Sequence, residues 1–98
     1  MRRIGKAQIQ YFGSIRAAAG LPGEEVDIPS HIGLFALLEE LAGAHGAGFR
    51  GEVFAGETLR EDLTAALNGT IIKHEAAEEA QLRPGDVLAL FPLFPGGG

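Results

Sequence analysis

Between Ile32 and Ala42 the side chains Leu34, Leu37, Leu38 and Leu41 fall at i, i+3, i+4 and i+7, the stripe of an amphipathic helix. On both sides of that stretch the apolar period drops to two. A chain with one such helix between alternating runs has to lay it across a sheet, because stripe and sheet face each need an apolar partner. Ser30 is the expected N-cap of this helix and Gly43 its expected C′ residue.

The flanking runs supply the sheet. Residues 7–12 alternate Gln8 and Gln10 with Ile9 and Tyr11, a half-buried strand that stops at Gly13 and Ser14. One helical turn over residues 14–19 follows, closed by Gly20, Leu21, Pro22 and Gly23. Residues 24–28 alternate again with Val26 and Ile28 inward, as the hairpin partner of the first strand, and Pro29 ends the run. Beyond the helix, residues 43–58 are glycine-rich and read as loop with at most a turn of helix, anchored by Phe49, Val53 and Phe54. Residues 63–67 and 70–72 flank Asn68-Gly69, which suits a type I′ hairpin turn because both central residues need positive φ. Residues 75–81 form local helix or exposed loop, and Arg83-Pro84-Gly85-Asp86 is a turn by composition.

Residues 87–91 are almost continuously apolar, which places this last strand in the sheet interior, and Pro92 ends it. The first and last strands can pair in parallel through the long crossover that the helix supplies. The order predicts an α+β domain of the β-grasp type, a mixed sheet of about four to five strands with one main helix across it. Its expected extent is residues 1–95, with residues 96–98 as a flexible glycine tail.

Composition narrows the function. At 98 residues the chain has room for one core, since domains run to about 100–200 residues. The absence of cysteine excludes disulfides, thiolate-bound zinc, iron–sulfur clusters and a cysteine nucleophile. A net charge of −5, with Lys6 and Lys73 as the only lysines and a short Arg2-Arg3 pair, argues against a nucleic-acid partner. The start Met-Arg-Arg leads into Gly5, Lys6 and Gln8 rather than an apolar stretch, so no secretory signal is expected. No run reaches the roughly 18–20 apolar residues of a membrane span. A cytoplasmic protein without a membrane partner is the expectation.

Chemistry inside the domain is sparse. His31, His45 and His74 stand 14 and 29 residues apart with no thiolate to join them, so they are expected to be solvated and no metal site is expected. The acidic doublets Glu24-Glu25, Glu39-Glu40, Glu61-Asp62 and Glu78-Glu79 read as solvated faces, because sequence neighbours do not face each other on a helix or a strand. Gly43, Gly46 and Gly48 follow a helix instead of a strand, which removes a dinucleotide loop, and Ser14 and Ser30 lie in no nucleophile motif. An enzyme with its own active site is not expected.

The remaining signal is the end of the chain, Leu90-Phe91-Pro92-Leu93-Phe94-Pro95-Gly96-Gly97-Gly98. Two prolines stiffen the departure from the strand. The seven residues past Phe91 span at most ~23–25 Å when extended, enough to enter another protein. Glycines pass through a channel too narrow for a Cβ, and a terminal glycyl carboxylate is the least hindered acyl group. Phe91 has two readings, as core or as a contact for a partner, whereas Leu93 and Phe94 lie past the strand and suit an interface.

With Tyr11-Phe12-Gly13-Ser14-Ile15-Arg16 and Gly20, Leu67-Asn68-Gly69, Pro84-Gly85-Asp86-Val87 and Ala89-Leu90-Phe91-Pro92 before terminal glycines, the chain resembles the ubiquitin-like sulfur carriers of the MoaD/ThiS type. That family includes the molybdopterin synthase small subunit and the small archaeal-type modifiers. The resemblance implies a β-grasp carrier that binds no cofactor itself. Its C-terminal glycine would be adenylated with ATP by a ubiquitin-activating-type adenylyltransferase, then converted to a thiocarboxylate by a sulfur donor. The acceptor would be the large subunit of molybdopterin synthase or another sulfur acceptor, and the catalytic residues would be the partner's. By position, Gly98 carries the acyl group, Gly96 and Gly97 form its slender approach, and Phe91, Pro92, Leu93 and Phe94 dock. The family pattern commonly has a second proline after the first and two final glycines, whereas here Leu93 follows Pro92 and three glycines close the chain. Counted from Phe91, the usual diglycine falls on Gly96 and Gly97, so the reactive carboxyl is that of Gly98, or of Gly97 if the end is trimmed. Conjugation to lysines through the same terminus, or a β-grasp interaction module with an inert tail, are the alternatives.

Overall fold

A computed structural model of the protein describes residues 5–92. In chain order it contains β1 (Gly5–Tyr11), α1 (Gly13–Ala19), β2 (Gly23–Ile28), β3 (Ile32–Gly33), α2 (Leu34–His45) and α3 (Ala47–Val53). There follow β4 (Phe54–Ala55), β5 (Thr58–Leu59), β6 (Leu63–Leu67), β7 (Thr70–Ile71), a 3₁₀ segment (His74–Glu79), β8 (Gln81–Leu82) and β9 (Val87–Pro92). The main sheet has the order β2-β1-β9-β6-β7, with β3-β8 and β4-β5 as separate two-stranded pairs. β1 and β9 run parallel while β2, β6 and β7 join antiparallel, which is the expected mixed sheet of a β-grasp α+β domain.

The leucine stripe explains the layering. Leu34, Leu37, Leu38 and Leu41 are all buried and meet Ala7, Ile9 and Tyr11 of β1 and Leu88 and Leu90 of β9 in one core. Each buried leucine contributes roughly 1.5–3 kcal/mol relative to exposure. Phe49, Val53 and Phe54 complete the core from the glycine-rich stretch, as expected. Asn68 (φ 52) and Gly69 (φ 87) both have positive φ, as a type I′ turn requires. Asp86 N–H closes the Arg83–Asp86 turn on the Arg83 carbonyl at 3.0 Å, with Gly85 at φ 94.

Three expectations are corrected. The main helix starts at Leu34 rather than Ile32, because Ile32-Gly33 pairs with Gln81-Leu82 as a short strand. Its first N–H donates to the Ala80 carbonyl at 2.8 Å, so Ser30 is not the cap, and the Ser30 hydroxyl bonds the neighbouring His31 ring instead. At the other end the helix runs through Gly43 to His45 and stops at Gly46, whose φ of 99 is open to glycine alone at no steric cost. A glycine inside an exposed helix costs only about 1 kcal/mol, which the burial of Phe49 and the half-buried His45 beyond it offsets. Finally, residues 47–53 are a helix, not a loop, because Phe49 and Val53 at i and i+4 both reach the core.

Candidate functional site

β9 lies between β1 and β6, so its last residue stands in the middle of the main sheet rather than at an edge. The end of β9 is held from both sides. Phe12 N–H donates to the Leu90 carbonyl at 3.0 Å, which extends the parallel ladder past the Tyr11–Leu90 pair. On the other side Leu63 stands opposite Pro92 and Thr64 opposite Phe91.

Strand alternation sorts these side chains. Leu88 and Leu90 enter the core, so Val87, Ala89 and Phe91 take the opposite face of the sheet. There Phe91 is half-buried, its ring tilted 40° to that of Phe12 with centroids 5.7 Å apart. Phe91 is thus outside the core, and of its two readings from sequence the core one fails. Phe12 is 42% exposed, and across the same face Ala89 lies opposite Ala66, which lies opposite Ile71 at 63% exposure. Phe12 and Ile71 are the large apolar side chains exposed among the described residues. Leu93, Phe94, Gly96, Gly97 and Gly98 lie outside the described residues.

The acid and histidine pattern differs from the sequence reading at one place. His31 and His74 are exposed as expected, but His45 is not solvated. Its ring packs on Tyr11 and Phe49 at centroid distances of 6.0 and 5.2 Å, and its Nε2 bonds a Glu24 carboxylate oxygen at 2.5 Å. The Tyr11 hydroxyl donates to the same oxygen at 2.6 Å. Burial tends to raise the Glu24 pKa, yet the two bonds and the His45 charge outweigh it and hold the carboxyl below its usual range. Tyr11 is pushed upward by burial and by Glu24, so it stays protonated. The available signal was the phase of β1: Tyr11 shares the inward phase of Ala7 and Ile9, and a buried phenol needs a partner.

Every carboxyl with a resolved shift among the described residues moves downward: Glu24, Glu39 beside Arg50, and Asp62 beside Arg60. A general acid needs the opposite direction. No group of three potential metal ligands is present among the described residues.

The ThiS family model matches residues 9–97, nearly the whole chain. The chain belongs to the ThiS family. The family is one of small ubiquitin-like carriers, and this member has the β-grasp fold. Comparison with curated protein sequences returns no match. Among solved structures, the crystal structure of small archaeal modifier protein 1 from Haloferax volcanii is 29% identical, with a TM-score of 0.78 over 95% of this chain and 100% of that one. A putative molybdopterin converting factor, subunit 1, from Pyrococcus furiosus is also 29% identical, with a TM-score of 0.70 over 92% and 99%. The crystal structure of the Amycolatopsis orientalis BexX/CysO complex contains a chain 19% identical to this one, with a TM-score of 0.74 over 93% of this chain and 99% of that one, a likeness of fold. No helix among the described residues is long and apolar enough to cross a membrane.

Proposed function

We propose that this ThiS-family chain is a sulfur carrier that works through its C-terminal glycine and serves molybdopterin formation. The carboxylate of Gly98, or of Gly97 if the end is trimmed, attacks the α-phosphorus of ATP on a ubiquitin-activating-type adenylyltransferase and releases pyrophosphate. Hydrosulfide released by a donor then attacks the acyl carbon, displaces AMP, loses its proton and leaves a thiocarboxylate, with no change of oxidation state. ATP belongs to the activating partner, and the cytoplasm is where that chemistry would run. Gly96 and Gly97 offer a backbone without side chains to a narrow channel, and Phe91, Pro92, Leu93 and Phe94 dock beside it, with the exposed Phe12 ring enlarging the apolar patch. The acceptor is the large subunit of molybdopterin synthase, which supplies the catalytic residues.

The observation that carries this reading is the family match running on to residue 97 of a chain whose last strand is central in the sheet. The likeness to the Pyrococcus protein supports the molybdopterin branch. A second reading, conjugation to lysines of other proteins through the same carboxyl, is favoured by the equal identity to the Haloferax modifier. Intact-mass analysis of protein from its native cell separates them. A carrier shows exchange of one terminal oxygen for sulfur, and deletion of Gly97 and Gly98 abolishes it while thermal unfolding is unchanged. Lysine-linked adducts without any thiocarboxylate would overturn the carrier in favour of the modifier.

A further inference from the structure

Gly13 combines two properties that no other glycine in residues 5–92 shares. Its φ is +57, in the left-handed region, and a Cβ built on it would meet Pro92 Cγ at 2.9 Å and Cδ at 3.1 Å. A change of ring pucker can carry Pro92 Cγ away, but Cδ is bonded to the backbone nitrogen and moves only with the main chain. A methyl group at position 13 therefore forces either the Phe12-Gly13 backbone or Pro92 to move. The surroundings leave Pro92 little freedom, because Phe12 N–H is tied to the Leu90 carbonyl and Leu63 stands opposite Pro92 across the ladder. Gly20 offers a built-in comparison: its φ is +81, yet nothing lies within 4 Å of the position a Cβ would take.

We infer that Gly13 is a positioning residue: its missing side chain makes the seat for Pro92, and this seat sets the direction in which the chain leaves the sheet toward the reactive carboxyl. The inference rests on the carrier reading, since direction matters only if the terminus must enter a partner's active site. Gly13 touches neither ATP nor the acyl group and acts through Pro92. A displacement on the order of 1 Å at a reacting group can cost about 100-fold in rate, so a small shift at the root of the tail is enough to matter. Docking through the Phe12 and Phe91 rings is a separate contribution.

The test compares Gly13→Ala, Gly20→Ala, Pro92→Ala and the Gly13→Ala/Pro92→Ala double variant. Adenylation is followed as pyrophosphate release with the ubiquitin-activating-type enzyme of the same genome. Gly13→Ala and Gly20→Ala impose the same kind of backbone strain, so both should lower the unfolding temperature. Only Gly13→Ala should lower kcat, by about tenfold or more, with KM for the carrier nearly unchanged. Pro92→Ala empties the seat and should also lower kcat. On that background Gly13→Ala should cost no more than Gly20→Ala does, because the atoms it clashed with are gone. Amide NMR shifts provide a readout independent of the enzyme: Phe91 and Leu93 should shift in Gly13→Ala and stay in place in Gly20→Ala. If the wild-type chain supports no adenylation, the carrier reading fails while the shifts still decide the seat. If adenylation proceeds and Gly13→Ala matches Gly20→Ala in kcat, or if Pro92→Ala turns over like wild type, the inference is overturned.

Discussion

The Tyr11 hydroxyl and the His45 ring meet on one oxygen of Glu24, and this cluster ties β1, β2 and the end of α2 together. Replacing Tyr11 by Phe keeps the ring against Phe49 and removes the bond to the carboxylate, at an expected cost of about 1.5 kcal/mol in urea unfolding. The same contact makes stability depend on pH. The Glu24 carboxyl is held below its ordinary value of 4.5 in the folded chain, so its contribution is fully present above about pH 5 and is lost as pH falls through the lowered folded value. Glu24→Gln should therefore flatten the acid limb of a stability–pH profile. An unchanged slope in that variant would remove Glu24 from the account. At this scale the sequence was half legible. The alternation in β1 put Tyr11 inside, but a pairing across 13 residues to Glu24 and 34 to His45 depends on tertiary placement that no local pattern encodes.

Elements were legible where period and turn chemistry agree, and illegible where glycine interrupts a helical period. The α2 stripe and the Asn68-Gly69 turn belong to the first kind, and α3, with glycines at 46, 48 and 51 around its two core contacts, to the second. The Asn68 turn also does more than reverse the chain. Its side-chain carbonyl accepts from Val87 N–H at 2.9 Å and its amide donates to Asp86 at 3.0 Å, so the hairpin is fastened to the start of the central strand. Asn68→Ala loses both bonds and holds at positive φ a residue without the polar side chain that lets asparagine occupy that region, for an expected loss of about 2 kcal/mol. Asn68→Gly keeps the backbone conformation and loses only the bonds, for about 1 kcal/mol. Equal losses in urea titrations of the two variants would mean that the turn conformation contributes nothing. The sequence pointed to the turn through its φ demand, whereas the link to Asp86 and Val87 follows from sheet order, since β6 and β9 are neighbours in space and not in sequence.

For the molecule as a whole, the same topology that buries the helix stripe brings the last strand to the middle of the sheet and leaves an apolar patch of Phe12 and Phe91 beside its end. That arrangement was readable from the order of strands and the apolar run at residues 87–91, while the alignment of Phe12 with Phe91 needed the parallel register. Charge adds a second, long-range contribution to recognition. With a net charge of −5, the chain is drawn toward basic surfaces, and the activating and accepting partners are expected to present them. Salt should then act mainly on encounter. Raising ionic strength from about 0.01 M to 0.15 M shortens the Debye length from about 30 Å to 8 Å and should slow association several-fold. Dissociation should change little, because the contacts at Phe12 and Phe91 are apolar and salt does not screen them. Stopped-flow measurement of both rates with the activating enzyme checks this division. An association rate indifferent to salt would overturn the electrostatic contribution and assign recognition to apolar contacts, of which Phe12→Ala, a variant that leaves the charge at −5, removes one part.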